Sequence, residues 1–69
     1  MNTQLLRDIR IHRKKTQADM AKALGYANKS AYCLIETGVN KVTTDTASKI
    51  ATELSMTRDE KLAVFLEES

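Results

Sequence analysis

The stretch from Thr16 to Gly38 constrains the fold more than any other part of the chain. The Thr16 hydroxyl can cap a helix, and the Asp19 carboxylate can accept a hydrogen bond from the Thr16 backbone N–H, so these residues form a capping box. Apolar residues then repeat at helical spacing until Gly25, and glycine adopts at little cost the left-handed conformation that ends a helix. A second run of helical spacing ends at Gly38. The stretch therefore predicts two short helices joined by one tight corner, a pair that crosses steeply.

The length and composition predict a single all-α domain. At 69 residues the chain is near the size at which apolar burial only just exceeds the entropy lost on folding, so we expect residues 1–69 to form one domain. The chain has 42% apolar residues, no proline and none of the apolar alternation that is typical of a strand. We therefore expect a compact bundle of helices.

Five helices in series are predicted, with no linker or repeat between them. The first four are expected over about residues 3–13, 17–24, 29–37 and 44–54, and the fifth begins at a second capping box, Thr57-x-x-Glu60. The residues predicted to face inward are Leu5, Leu6 and Ile9 in the first helix and Ala47, Ile50, Ala51 and Leu54 in the fourth. Leu62, Phe65 and Leu66 of the fifth helix are expected either to complete the core or to meet a second copy of the chain.

Positive and negative charges are separated along the chain. Residues 1–41 contain eight basic and three acidic residues, a net charge of +5, whereas residues 42–69 contain three basic and six acidic residues, a net charge of −3. The basic part contains the two-helix stretch. Such a part attracts a polyanion, because binding releases counterions from the phosphates, although small proteins also separate charge by chance.

The same sequence argues against several classes of protein. No apolar run approaches the roughly 20 residues that cross a membrane, and the N-terminus lacks the features of a signal peptide, so we expect a cytoplasmic protein. Cys33 is the only cysteine, which agrees with a reducing compartment and provides no metal-ligand cluster. His12 is the only histidine, and no catalytic constellation or glycine-rich phosphate loop is present. We therefore expect no catalysis, no metal and no cofactor.

The arrangement resembles the lambdoid phage repressor and Cro family, also called XRE-type helix-turn-helix regulators, over about residues 4–56. The resemblance implies a compact five-helix, lambda-repressor-like domain whose helices 2 and 3 form the helix-turn-helix. It also implies binding to operator DNA as a dimer and control of transcription. The motifs that carry the resemblance are Leu6-Arg7-x-x-Arg10, Thr16-Gln17-x-x-Met20-Ala21-x-x-Leu24-Gly25, Ile35-Glu36-x-Gly38 and Ile50-Ala51-x-x-Leu54.

Two registers are open for helix 3, because residues 26–29 contain one residue more than the shortest family pattern. Counting forward from the glycine of the turn makes Ala31 and Leu34 the buried pair. Counting backward from the end of the helix makes Tyr32 and Ile35 the buried pair. We prefer the backward count, because a glutamate as well as a glycine marks the helix end and a turn easily absorbs an extra residue.

The chemistry of the residues around the turn predicts the main DNA contacts. Lys29 and Asn28 open helix 3 and are the leading base readers, because lysine can donate to guanine O6 and N7 and asparagine can pair with adenine. The alternatives are a contact to phosphate alone or, for Asn28, a helix cap. The Gln17 amide is expected to bind a phosphate, as the matching family residue does, or else to face solvent. Ser30 is expected to donate to a base or a phosphate, or to assist the cap.

Further contacts are expected on both sides of these residues. Cys33 or Leu34 could touch a thymine methyl, although Leu34 is a core residue in the other register. Tyr26 is expected to cover the turn, with its hydroxyl reaching a phosphate. Asn40 and Lys41 follow helix 3 in a loop that family members lay along phosphates, and Lys41 is the stronger candidate.

Other charged residues are expected to have structural or less specific roles. The resemblance implies a buried ion pair between Arg10 of helix 1 and Glu36 at the end of helix 3, and we expect this pair to stabilise the fold rather than read DNA. The run Arg13-Lys14-Lys15 is expected to contact the DNA backbone or solvent. The acidic Glu67-Glu68 ending is expected to lie away from DNA.

Three functions are compatible with these features. The first is a sequence-specific regulator of transcription, a Cro/C1-type repressor of a phage or mobile element, which binds a pseudo-palindromic operator as a homodimer. The second is an antitoxin that regulates its own operon and binds a partner protein through helix 5. The third is a protein-interaction module that has the fold without binding DNA.

Overall fold

A computed structural model of the chain describes residues 1–66. Within this part there are five α-helices and no strand, in an envelope of 29 × 23 × 20 Å. The all-α prediction is confirmed, and each of the first four helices ends one residue earlier than predicted, since the predicted last residue is its C-cap. No helix here is long and apolar enough to span a bilayer. The helices are α1 (Thr3–His12), α2 (Gln17–Ala23), α3 (Lys29–Glu36), α4 (Thr44–Glu53) and α5 (Arg58–Phe65).

Every helix begins at a residue whose side chain accepts a hydrogen bond from the first turn, which satisfies a backbone N–H that has no partner within the helix. Both predicted capping boxes are confirmed, one between Thr16 and Asp19 and the other between Thr57 and Glu60. The helix starts were therefore readable from local sequence. The remaining caps are Asn2, Asn28 and Thr43.

The first four helices end in a Schellman motif, in which a left-handed residue turns the chain away from the helix axis. The N–H of that residue donates to the carbonyl three residues back, and the next N–H donates to the carbonyl five residues back, at 2.8 to 3.2 Å. Two of the left-handed residues are the predicted glycines, Gly25 and Gly38, with φ values of 79° and 82°. The other two are Lys14 and Ser55, with φ values of 61° and 50°, and neither residue type signals this conformation.

One apolar core joins all five helices. The backward count for α3 is confirmed, because Tyr32 and Ile35 are 0% and 2% exposed whereas Leu34 is 39% exposed. Leu5 and Ala47, which were predicted to face inward, are only half-buried. The core residues are Leu6, Ile9, Met20, Ala21, Tyr32, Ile35, Ile50, Ala51, Leu54, Met56 and Val64.

Of the three apolar residues singled out in α5, only Phe65 packs against the core. Leu62 and Leu66 are 44% and 69% exposed, and Val64, which was not predicted to face inward, is completely buried. Glu60 of α5 pairs with Arg13 at the end of α1 at 2.7 Å, so the face carrying Glu60 lies toward α1. Val64 lies one turn further along that same face. The Glu67-Glu68 ending lies outside the described residues.

Candidate nucleic-acid interface

The outer face of α3 is the most distinctive surface of the fold. Because Tyr32 and Ile35 point into the core, the opposite side of this helix is open to solvent. Lys29, Ser30 and Leu34 are exposed there, and Cys33 is half-buried. The structure thus brings together, on one face, the four α3 residues that the backward count placed outward.

A concave groove of about 850 Å³ lies beside this face, between α1, the start of α2 and α3. We call it the α1–α3 groove. It is lined by three predicted site residues, Gln17, Lys29 and Cys33. Arg7, Ile11 and Lys14 also line it, although Arg7 and Ile11 were not predicted to contact a ligand. The signal that could have found these two is their spacing, since residues four positions apart share a helix face.

The Arg10–Glu36 ion pair lies at the floor of this groove. Arg10 Nε donates to Glu36 Oε2 at 2.6 Å and Arg10 Nη2 donates to Glu36 Oε1 at 3.3 Å, so the contact is bidentate. The two side chains are 10% and 3% exposed. Arg10 Nη1 also donates to the Lys15 carbonyl at 2.8 Å, so one guanidinium joins α1, α3 and the loop before α2.

Gln17 contacts this ion pair from the other side. Its Nε2 donates to Glu36 Oε1 at 3.4 Å, a long hydrogen bond that orients the amide nitrogen toward the floor of the groove. An amide nitrogen carries two hydrogens, so the second one remains able to bind an anion in the groove. The side chain is half-buried rather than fully exposed to solvent.

Tyr32 lies next to the same carboxylate in the core. Its hydroxyl is fully buried and has no hydrogen-bond partner among residues 1–66. Burial, together with the negative charge of Glu36, raises the pKa of Tyr32 well above its ordinary value. The phenol is therefore neutral at pH 7.

The start of α3 shows how its polar residues are used. Asn28 Oδ1 accepts from the Ala31 N–H at 3.3 Å, so the capping alternative occurs in the structure. Pairing with adenine in two hydrogen bonds would need the same oxygen, which leaves the amide nitrogen as the better placed group for a base. Lys29 and Ser30 are exposed beside it in the first turn.

The remaining predicted contacts lie apart from the α1–α3 groove. Tyr26 is half-buried at the turn and packs against the core, so it covers the corner. Asn40 and Lys41 line a second groove of about 640 Å³, whose apolar residues include Val42 and Phe65. The structure therefore places the α3–α4 loop on a separate part of the surface from Gln17.

Two cations of the basic run after α1 form ion pairs within the fold. Arg13 binds Glu60, and Lys15 Nζ lies 3.5 Å from Glu53 Oε1, while the two basic side chains remain 26% and 38% exposed. These carboxylates are 47 and 38 residues away in the chain, so local sequence could not reveal the pairs. Lys14 is exposed and has no carboxylate partner within residues 1–66.

The possible chemistry of the surface is binding of an anion. Within residues 1–66, no group of three or more His, Cys, Asp or Glu side chains is placed to hold a metal ion. The groove instead presents cations, one amide and backbone near an exposed helix face, which suits phosphate and base edges.

Comparison with known proteins gave one family. The family model described as helix-turn-helix matches residues 6–61, a span that includes α2, α3 and most of the flanking helices. No curated protein matches the chain. No solved structure matches it either.

Proposed function

We propose that this chain, which belongs to the XRE-type helix-turn-helix family of DNA-binding transcription regulators, represses transcription by reading one specific operator. The operator is a pseudo-palindrome in double-stranded DNA of a phage or another mobile element. The chain binds it as a homodimer, with one copy on each half-site.

The observation that carries this proposal is the orientation of α3. Its buried residues hold the helix against the core, while Lys29, Ser30 and Leu34 are exposed along the outer face. A helix held in this way can enter the major groove, where base pairs are distinguishable. Lys29 then donates to guanine, and Ser30 donates to a base or a phosphate.

The neighbouring residues extend the contact. The Asn28 amide nitrogen can donate to a base while its oxygen caps α3. Cys33 and Leu34 offer an apolar contact to a thymine methyl. Gln17 binds a phosphate with the hydrogen of its amide that Glu36 does not hold.

The phosphates beyond the recognition helix are bound by other loops. Lys41 and Asn40 are exposed after α3, and both can bind phosphate from there. The Tyr26 hydroxyl reaches a phosphate from the corner between the two helices. Such contacts position the protein on the duplex without reading its sequence.

The exposed apolar side chains of α5 support assembly with another protein surface. Leu62 and Leu66 are one helical turn apart and are 44% and 69% exposed. In the homodimer these residues bury each other across the two-fold axis, and the two recognition helices lie about 34 Å apart on the DNA. The same surface suits the alternative function, an antitoxin-type autoregulator, in which a different protein covers Leu62 and Leu66. Light scattering of the pure chain with a palindromic duplex distinguishes the two, because the homodimer needs no further protein.

Selection from random duplexes followed by two substitutions tests base reading. Lys29→Ala should relax the preference at one base position by about 1–3 kcal/mol, because the side chain reads a base edge. Gln17→Ala should weaken all sequences alike, because it removes a phosphate contact. The matched control is Lys61→Ala, which removes one cation from a depression beside Thr52 and Phe65, away from α3. It should change neither the base preference nor the overall affinity for DNA.

The outcomes separate the alternatives. Equal, sequence-independent losses from Lys29→Ala and Gln17→Ala would remove Lys29 as a base reader. Failure of the chain to select any sequence, together with no fall of DNA affinity as salt rises, would instead favour the protein-interaction module.

A further inference from the structure

Six of the eight cations in residues 1–41 fall into two groups, and the other two, Lys22 and Lys41, do not line the α1–α3 groove. Arg10, Arg13 and Lys15 each lie within 4 Å of a carboxylate. The second group has no carboxylate partner within residues 1–66, and its members are exposed and line the α1–α3 groove: Arg7, Lys14 and Lys29.

The groove therefore carries a positive charge that the described residues do not neutralise. Glu36 is the one carboxylate among them that lines it, and Arg10 already binds both oxygens of that carboxylate. Arg7 and Lys14 belong to α1 and to its left-handed end, so this charge extends outside the helix-turn-helix. A ligand that fits must be an anion long enough to run from α3 to α1.

The backbone at Lys14 is a second observation. Its φ of 61° lies in the left-handed region, which glycine occupies at the ends of α2 and α3. A lysine is strained there, because its Cβ approaches the backbone, whereas glycine would have no such strain. Ser55 has the same strained conformation at the end of α4, but of the two residues only Lys14 carries a charge and lines the groove.

Arg7, Ile11 and Lys14 form one wall of the groove. Arg7 and Ile11 are one turn apart on the same face of α1, and Lys14 follows in the turn that ends the helix. Ile11 is 54% exposed between the two cations. Cations on either side of an apolar side chain suit a sugar–phosphate backbone, in which charged phosphates flank a less polar sugar.

We propose that Arg7 and Lys14 bind phosphates of the DNA strand that passes Lys29, so that the strand runs along the α1–α3 groove and over the exposed face of α1. Ile11 packs against a deoxyribose between these phosphates. This inference rests on the proposed function, because it takes the ligand of α3 to be duplex DNA. It adds two ionic contacts that do not depend on base sequence.

A salt titration tests the two contacts. The probe is a 20-base-pair duplex of random sequence, and its affinity for the full chain is measured from about 50 to 200 mM salt. The slope of log affinity against log salt changes by about 0.9 for each phosphate contact, which is about 3.5-fold in affinity over this range. Arg7→Ala and Lys14→Gly should each reduce the magnitude of this negative slope by that amount, and a lower slope below means a smaller magnitude.

Lys14→Gly also separates binding from folding. Glycine relieves the strained φ, so the variant should melt at a higher temperature than the parent while it binds DNA more weakly. Ser55→Gly is the matched control, because it relieves the same strain at the end of α4 without removing a charge. It should raise the melting temperature and leave the salt slope unchanged. Lys61→Ala controls for the loss of one cation elsewhere.

The possible results distinguish this inference from the proposed function. If binding by the parent chain weakens as salt rises and Arg7→Ala and Lys14→Gly change the salt slope no more than Lys61→Ala does, the DNA strand does not cross α1 and the inference is wrong. If the parent chain shows no salt-dependent binding at all, both the inference and the proposed function are wrong. Lower slopes for Arg7→Ala and Lys14→Gly, with Lys61→Ala unchanged, support the inference.

Discussion

The Arg10–Glu36 ion pair allows a sharp test of what holds this small fold together. Arg10→Met keeps most of the aliphatic stem but removes all three hydrogen bonds of the guanidinium, two to Glu36 and one to the Lys15 carbonyl. The Glu36 side chain, 3% exposed, then keeps only the 3.4 Å contact from Gln17. A buried charge left in this state destabilises a protein by about 3–5 kcal/mol.

That loss is large compared with the whole stability of the domain. At about 0.05–0.15 kcal/mol per residue, a chain of this length has about 3.5–10 kcal/mol in total. Arg10→Met should therefore lower the melting temperature by tens of degrees, since each kcal/mol corresponds to about 4–8 °C in a domain of this size. Urea unfolding followed by circular dichroism at neutral pH measures the loss directly.

The double variant makes the reasoning refutable. Arg10→Met with Glu36→Met removes both charges and fills the space with apolar groups, so it should be more stable than either single variant. The double variant is expected to be more stable than both single variants only if each single change leaves an uncompensated buried charge. A melting temperature unchanged by Arg10→Met, or single effects that simply add in the double variant, would show that the ion pair does not stabilise the fold.

Three further predictions follow from other local features. Tyr32→Phe removes a buried hydroxyl without a partner in residues 1–66 and should raise the free energy of unfolding by about 1 kcal/mol, whereas a loss in urea unfolding would mean that the hydroxyl is hydrogen-bonded. Ser55→Gly should raise it by about 0.5–1 kcal/mol, because the strain relieved exceeds the backbone entropy that glycine loses, and an unchanged melting temperature would contradict this. Hydrogen bonds from the Thr16 and Thr57 backbones hold the pKa values of Asp19 and Glu60 below their ordinary values. Both carboxylates therefore bind protons more weakly in the folded than in the unfolded chain, so their contribution to stability should be complete above about pH 5 and should disappear as acid titrates them. A melting temperature that stays constant between about pH 5 and pH 3 would contradict this expected loss of stability.

Local signals account for most of what could be predicted. Capping residues and two glycines located the helix ends, because caps and left-handed turns are determined by residues within a few positions of each other. The contacts that local sequence could not give are those between distant residues. The Arg13–Glu60 pair, which links α1 and α5, joins residues 47 positions apart. Val64 is completely buried on the face of α5 that carries Glu60, and the apolar spacing of Leu62 and Leu66 did not indicate this.

The candidate site was predictable in its centre and not at its edges. Gln17 and Lys29 could be named because the motif orders them along the chain, and the structure places both in the α1–α3 groove. Lys14 was predicted only as one member of a basic run, because lysine carries no signal for a left-handed conformation, and Arg7 was missed because its neighbours in space come from α2 and α3.

The extra residue in the turn before α3 shows how the register of the outer face is determined. Glu36 binds Arg10 from the end of α3, and Tyr32 and Ile35 are buried one turn apart on the side facing α1 and α2. These contacts determine the rotation of the helix about its axis, whatever the length of the turn that precedes it. An additional residue in the turn therefore changes which residue caps the helix and leaves its buried side unchanged. Since Asn28 supplies that cap, Lys29 becomes the first residue of α3 and lies beside the groove in which the DNA strand is proposed to run.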